Sequence, residues 1–410
     1  MSRRATPGPG TSLLALALAV AVALTACTGT PTSAPATSAT TPVPSTPTTS
    51  ATPPRTDEPT PGTTQRVVFG NPWSKDPARQ HAVADSALEI INGTPTGETV
   101  TLSMFNMTYP GTAASLVRAV RRGVTVHVVL NSENADSTQA TKLVRALGSD
   151  RTARSWVVVR TPEIRMHSKF LLSSRSNGED KVVWVSSGNL TSADGRDQAN
   201  EALVTTGDGR LYRFLRQQFA LFRAGVTDPT RLGRTATTAT ATVRTFPLPE
   251  GGEANDPVLA LLDDVSCVHD GDATTIRVAH LFLTSQRLYL VDRFRALEAA
   301  GCDVRLLAHL PQWTPLAREQ LTAPGAGRID LRSTRGTALH TKILTIEGRD
   351  AAGQPLEVAM VGTHNLSGRA LTVTPDGVND EVSLTVHNPD IVSAYSAWID
   401  MVIARHSNPA

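Results

Sequence analysis

Two short stretches, Met166–Leu172 (MHSKFLL) and Leu339–Thr345 (LHTKILT), each set a lysine two places after a histidine. Only five lysines occur in 410 residues, against thirty-four arginines, so two such pairs are a rare arrangement. On a strand, positions i and i+2 face the same side. This predicts that His167 and Lys169 point together, as do His340 and Lys342. An imidazole beside an ammonium suits a phosphoryl group: the ring nitrogen can attack phosphorus while the lysine neutralises the non-bridging oxygens. Two histidines allow divided labour, one as nucleophile, the other protonating the leaving oxygen and then activating water. Further along each half come Ser187 and Asn189, then Thr363 and Asn365, which could add donors to the same oxygens. Glu201 and Glu381 follow, and are expected to hold the imidazole N–H groups and fix their tautomers.

These residues recur in a fixed order, and so do the elements around them. Residues 99–108 (TVTLSMFNMT) align with 275–284 (TIRVAHLFLT), and both read as strands from their β-branched content and alternation. An amphipathic helix follows each, closing at Gly123 and Gly301, where a C-cap favours a residue tolerant of positive φ. A second strand comes next, so each half predicts parallel pairing through a right-handed crossover. The two histidines lie 340 − 167 = 173 residues apart, the length of a domain. The chain is therefore expected to be a duplicated α/β domain, its halves packed about a pseudo-twofold axis with one site between them. The expected boundaries are 66–245 and 246–410.

The N-terminus reads differently. Arg3 and Arg4 precede twelve apolar residues, Leu13–Leu24, too few to span a bilayer as a helix but suited to the core of a signal peptide over 1–26. The stretch LTAC ends at Cys27 and resembles a bacterial lipobox, which makes Cys27 the expected lipidation site; the alternative is an ordinary secretory signal. Residues 27–65 are mostly Thr, Pro, Ser and Ala and predict an extended tether. The expected location is outside the cell, on the outer face of the membrane as a lipoprotein or secreted. Cys267 and Cys302, in a chain expected to be exported, are read as a disulfide, with two buried thiols as the alternative. Removing residues 1–26 leaves 39 − 2 = 37 basic and 37 acidic residues, a neutral balance that argues against a dedicated nucleic-acid partner.

Two copies of H-x-K, each followed by a small-residue-x-Asn turn and a Glu, resemble the phospholipase D superfamily over about residues 66–405. The resemblance implies a phospholipase D-like α/β/α sandwich and hydrolysis or exchange at a phosphodiester through a covalent phosphohistidine, with no cofactor and no metal requirement. It implies catalytic roles for His167, Lys169, Asn189, Glu201, His340, Lys342, Asn365 and Glu381, and substrate-binding roles for Ser187 and Thr363. It also implies that the first-half histidine is the nucleophile. The family places an aspartate five residues after the lysine, where this chain has Ser174 and Glu347; a local structural difference is expected there. The substrate expected is a phospholipid head group, with a nucleic acid or another phosphodiester, or a catalytically inactive binding module, as alternatives. Because one chain supplies both half-sites, a monomer is expected.

Overall fold

The computed structural model describes residues 62–323 and 329–410. The expected signal peptide, Cys27 and nearly all of the tether lie outside these residues. The tether's predicted end is two residues late, because Thr64 and Gln65 already pair with Thr206 and Thr205.

In the first half, strands β1 (Thr64–Phe69), β2 (Thr99–Met104), β3 (Thr125–Leu130), β4 (Trp156–Val159), β5 (Phe170–Ser176), β6 (Glu179–Ser186) and β7 (Glu201–Thr206) form one sheet in the order β1-β7-β6-β5-β2-β3-β4. The second half supplies β8 (Ala241–Phe246), β9 (Thr275–His280), β10 (Asp303–Ala308), β11 (Asp330–Thr334), β12 (Lys342–Asp350), β13 (Pro355–Gly362) and β14 (Asn379–Val386). Their order is β8-β14-β13-β12-β9-β10-β11, the same path strand for strand, with short edge strands added at either side. β2–β3 and β9–β10 are parallel, as the strand–helix–strand pattern requires. The glycines that end the crossover helices, Gly123 and Gly301, have φ of +90° and +100°, a conformation that favours glycine.

β8 corrects a boundary. The sequence division leaves residues 241–245 in the first half, but β8 pairs antiparallel with β14 just as β1 pairs with β7. The second repeat therefore begins before Ala241, and the chain crosses between the halves after the helix that ends at Arg223.

Helices α1 (Ala82–Gly93), α2 (Thr112–Arg121) and α3 (Thr138–Leu147) cover one face of the first sheet. Their counterparts α5 (Pro257–Asp263), α6 (Tyr289–Ala299) and α7 (Pro315–Thr322) cover the outer face of the second. Between the sheets lie α4 (Gly209–Arg223) and α8 (Pro389–His406), whose apolar faces share one core with both. Each sheet is thus covered on both faces, and its strands alternate between two apolar layers: Leu171 faces α1–α3, while Phe170 and Leu172 face the central core. Cys267 and Cys302 form a disulfide that ties the segment after α5 to the turn after α6.

The halves are joined by polar contacts as well as by this core. Arg160, just beyond β4, donates through Nε to Asp380 in β14, and both side chains are fully buried. Its Nη2 donates to the Val226 carbonyl at 2.6 Å. Burial pushes the Asp380 carboxyl up to about 7 against the pull of Arg160. Truncating one member of such a pair strands the other without a partner. Asp380→Ala is expected to lower stability in urea unfolding by about 3–5 kcal/mol, and Asp380→Asn, which keeps an acceptor oxygen, by less.

Candidate active site

The two H-x-K segments sit at the seam. Arg165–Met166 runs parallel to Asn379–Asp380 of the second half, and Ala338–Leu339 runs parallel to Gln198–Ala199 of the first. The bonds continue by one residue on each side: His167 N donates to Asp380 O at 3.0 Å, and His340 N to Ala199 O at 2.9 Å. Each histidine is therefore seated by the opposite half. The residues His167 to Lys169 lie between strands rather than on one, and β5 begins only at Phe170; in the second repeat β12 begins at Lys342. What brings each lysine back beside its histidine is a hydrogen bond. Lys169 Nζ donates to the His167 carbonyl at 2.6 Å, and Lys342 Nζ to the His340 carbonyl.

All four side chains are nearly removed from solvent, with His167 and His340 each retaining 8% exposure and the lysines 2% or less. Burial, reinforced by the nearby ammonium groups of both lysines, holds each imidazole well below its usual pKa. Burial likewise pulls Lys169 well below the usual lysine range, and Lys342 downward against the pull of Glu201. The pairs come to one centre because each is held across the seam: His167 and His340 are seated by backbone of the opposite half, and Lys342 Nζ reaches the Ser187 carbonyl of the first half at 3.4 Å.

The acidic partners are not symmetrical. His167 Nδ1 lies 2.9 Å from the Glu381 carboxylate, which also accepts from Thr363 Oγ1 at 2.6 Å and Asn379 Nδ2 at 2.9 Å. Burial pushes this carboxyl up to about 7. His340 Nδ1 instead faces Asn200 Oδ1 at 2.8 Å. The Asn200 amide is oriented by its Nδ2, which donates to the Asp194 carbonyl at 2.8 Å, so its oxygen is the acceptor for His340 Nδ1–H at the shorter of two contacts, Lys342 Nζ lying 3.1 Å from the same nitrogen. Both rings thus present Nε2 to the centre.

This overturns the expected role of Glu201. The cross-half pairings match Arg165 with Ala338 and so Glu381 with Asn200, one residue before Glu201. Glu201 is the counterpart of Val382: Ser187 N donates to Glu201 O, and Thr363 N to Val382 O. Because successive strand residues face opposite sides, a one-residue offset exchanges which side chain meets the histidine. Glu201 accepts from Ser187 Oγ at 2.6 Å and supplies the negative charge facing Lys342. Burial raises its pKa. Ser187 and Thr363 accordingly direct their hydroxyls at carboxylates and orient them, rather than facing a substrate oxygen.

Asn189 and Asn365 head the turns after β6 and β13. The Asn189 amide nitrogen is occupied, donating to Asp194 Oδ1 at 3.1 Å, whereas Asn365 Nδ2 has no protein partner among the described residues. The Asn365 carbonyl is held by Arg287 Nη1 at 3.0 Å, and Arg287 is clamped by the buried Asp256 carboxylate at 2.6 and 2.7 Å. The Phe105 ring packs edge-on against His167 at 5.2 Å, with Lys169 Nζ 5.2 Å above it. Ser174 lies at the other end of the sheet, accepting from Thr99 N at 2.8 Å and donating to Glu98 at 2.6 Å. Glu347 likewise sits opposite Thr275 at the start of β9. The family aspartate positions therefore stand at the strand starts, away from the histidines at the strand ends. Among the described residues no group of His, Cys, Asp and Glu has the arrangement of a metal site.

Sequence reasoning missed Asn200, Asp194 and Asn379. The available signal was their adjacency to residues already singled out, since Asn200 precedes Glu201 and Asn379 lies two before Glu381.

A family model described as "Cardiolipin synthase, PLD-like domain" matches residues 88–222 and 272–403, once in each half. No curated protein sequence matches the chain. Among solved structures, phosphatidylserine synthase of Haemophilus influenzae Rd KW20 superposes with a TM-score of 0.55 at 10% identity, over 84% of this chain and 87% of that one. Polyphosphate kinase of Porphyromonas gingivalis superposes with a TM-score of 0.57 at 12% identity over 82% of this chain, which spans 50% of the kinase. At these identities the likeness is one of fold. With its family domain matched twice, in the two halves that meet at the paired histidines, the chain belongs to the phospholipase D superfamily.

Proposed function

We propose that the chain is an exported phosphodiesterase that hydrolyses, or transfers, phospholipid head groups through a phosphohistidine. The observation that carries the reading is the convergence of two buried His–Lys pairs at one centre, each seated by the opposite half. Two ammonium groups there offset the charge of a bound phosphodiester and of its transition state. His167 Nε2 attacks phosphorus as the P–O bond to the leaving alcohol breaks, and His340 Nε2–H protonates that oxygen. His340 then takes a proton from water, whose oxygen attacks phosphorus as the P–N bond breaks and the electron pair returns to His167. An alcohol in place of water makes the second step a transfer. Export rests on the apolar run Leu13–Leu24 and the following Cys27.

The unequal partners support His167 as nucleophile. Attack through Nε2 leaves a cationic phosphoimidazolium, which the Glu381 carboxylate stabilises at Nδ1. The neutral Asn200 amide gives His340 no such stabilisation, keeping its imidazolium the readier proton donor.

Incubation with phosphatidylcholine vesicles, plasmid DNA and a p-nitrophenyl phosphodiester tests the substrate class. Head-group release with DNA intact is expected; nicked DNA with intact lipid would replace the lipid reading by a nuclease. If all three survive, the diesterase reading falls. Substitution separates the histidines. With a p-nitrophenyl ester, whose leaving group needs no proton, His340→Ala is expected to release a burst of about one nitrophenolate per enzyme and stall as an acid-labile phosphoenzyme. His167→Ala should give no burst; a burst from it alone would reverse the assignment.

The pH dependence follows from Glu381. Its carboxyl titrates near 7, and the ionised form is the one that draws the His167 Nδ1 proton and sharpens Nε2. With the same ester, kcat/KM is expected to rise with pH through about 7. Glu381→Gln should remove that inflection and lower kcat/KM by about a hundredfold; an unchanged profile would exclude the carboxylate from the step.

A further inference from the structure

The two sides of the site differ in charge. Beyond Asn189 in the first half come Ala193 and Asp194; at the equivalent distance beyond Asn365 come Arg369 and Ala370. Asp194 Oδ1 lies 4.0 Å from His340 Nδ1. On the other side Arg369 projects from the short helix Gly368–Leu371, half-buried, with no hydrogen bond or ion pair among the described residues. Its Nε is fully buried and has no acceptor. Its Nη2 rests on Gly377, where a Cβ would stand 2.7 Å from it and whose φ is +112°. The carbonyl of the next residue, Val378, accepts from Arg165 N at 3.0 Å. The guanidinium of Arg165 lies 5.0 Å over the Phe105 ring, the same ring that packs on His167. The Arg369 side chain thus reaches the segment leading into β14 on which Arg165, two residues before His167, is seated by its backbone, and both arginines add to the depression of the His167 pKa.

The nearby acids are engaged elsewhere. Glu133 takes two bonds from Arg165, at 3.0 and 2.6 Å, and Asp376 accepts from Gln286 at 3.0 Å. Arg369 is left as an uncompensated guanidinium with an unused buried donor. A buried donor without an acceptor is costly unless a ligand completes it, and the planar fork of arginine matches phosphate and carboxylate oxygens. The two lysines already answer the charge of the scissile phosphodiester.

We infer that Arg369 forms an anion subsite beside His167, so that the preferred substrate carries a second anionic group, phosphate or carboxylate, next to the scissile diester. The inference rests on the diesterase reading and narrows its substrate class: a cationic choline head is disfavoured, and an anionic neighbouring group is selected.

The test uses the full chain and three p-nitrophenyl phosphodiesters whose second alcohol is choline, glycerol or glycerol phosphate. The leaving group is constant and only the neighbouring charge changes. The expected order of kcat/KM is glycerol phosphate over glycerol over choline, with the first exceeding the last by about tenfold or more, the scale of one charge-assisted contact. Arg369→Gln should collapse that ratio to within about twofold, and Arg369→Lys, which keeps the charge without the fork, should retain an intermediate preference. Cleavage of all three without discrimination by the unaltered chain, or an unchanged ratio in Arg369→Gln, overturns the subsite while leaving the diesterase reading standing. Failure to cleave any of them removes both.

Discussion

The candidate site depends on an exchange of backbone pairing between the halves. Two residues before each histidine hydrogen-bond to the strand that carries the other half's acid or amide. Neither half can assemble an imidazole with its partner alone: His167 needs Glu381, and His340 needs Asn200. The same seam contains the Arg160–Asp380 pair, one residue from Glu381, so docking of the halves and placement of the carboxylate are one event. This also accounts for two fully buried lysines. An isolated ammonium in such a place would lose its proton, but here each Nζ has a backbone carbonyl, and Glu201, Glu381 and Asp194 supply opposing charge. The apolar core around α4 and α8 presses the halves together; the polar exchange sets their register.

The duplication and the paired H-x-K stretches were legible because they are local patterns repeated at one separation. The strand orders of the two halves match in the structure, as the repetition of segments requires. What stayed hidden was long-range. Glu201 aligns with Glu381 by type, yet the structure equates Glu381 with Asn200, and only the pairing of strands from opposite halves reveals the offset. The i, i+2 rule likewise placed each lysine beside its histidine for a reason that does not apply: residues 167–169 are not in a strand, and a hydrogen bond from Nζ to the histidine carbonyl does the positioning. Residues 241–245 read as part of the first half because a Thr-rich run looks like a linker until its partner, β14, is known.

Ser174 illustrates the converse. The departure from the family aspartate lies far along the chain's own motif, five residues from Lys169 in the direction away from the site. Its hydroxyl, between Thr99 N and Glu98, anchors the start of β2, and the histidine lies at that strand's other end. A missing charge at a strand start changes how the sheet begins. It does not remove a group from phosphorus.

A duplicated site begins with two equal histidines, and equality is a handicap for two-step chemistry. One ring must arrive at phosphorus as a free base while the other arrives carrying a proton, and identical surroundings would give both the same affinity for it. Three differences between the halves break that equality: carboxylate against amide at Nδ1, Arg369 against Ala193, and Asp194 against Ala370. They act in one direction. The ring backed by a carboxylate and faced by cations is steered toward bearing phosphorus, because the carboxylate offsets the charge of the adduct and the cations disfavour a competing proton. The ring backed by an amide keeps only a loosely held proton to pass on, with the Asp194 charge near enough to retain it until the leaving oxygen develops. Divergence of a few residues at the seam thus converts two copies of one motif into two different reagents, without changing either histidine or either lysine.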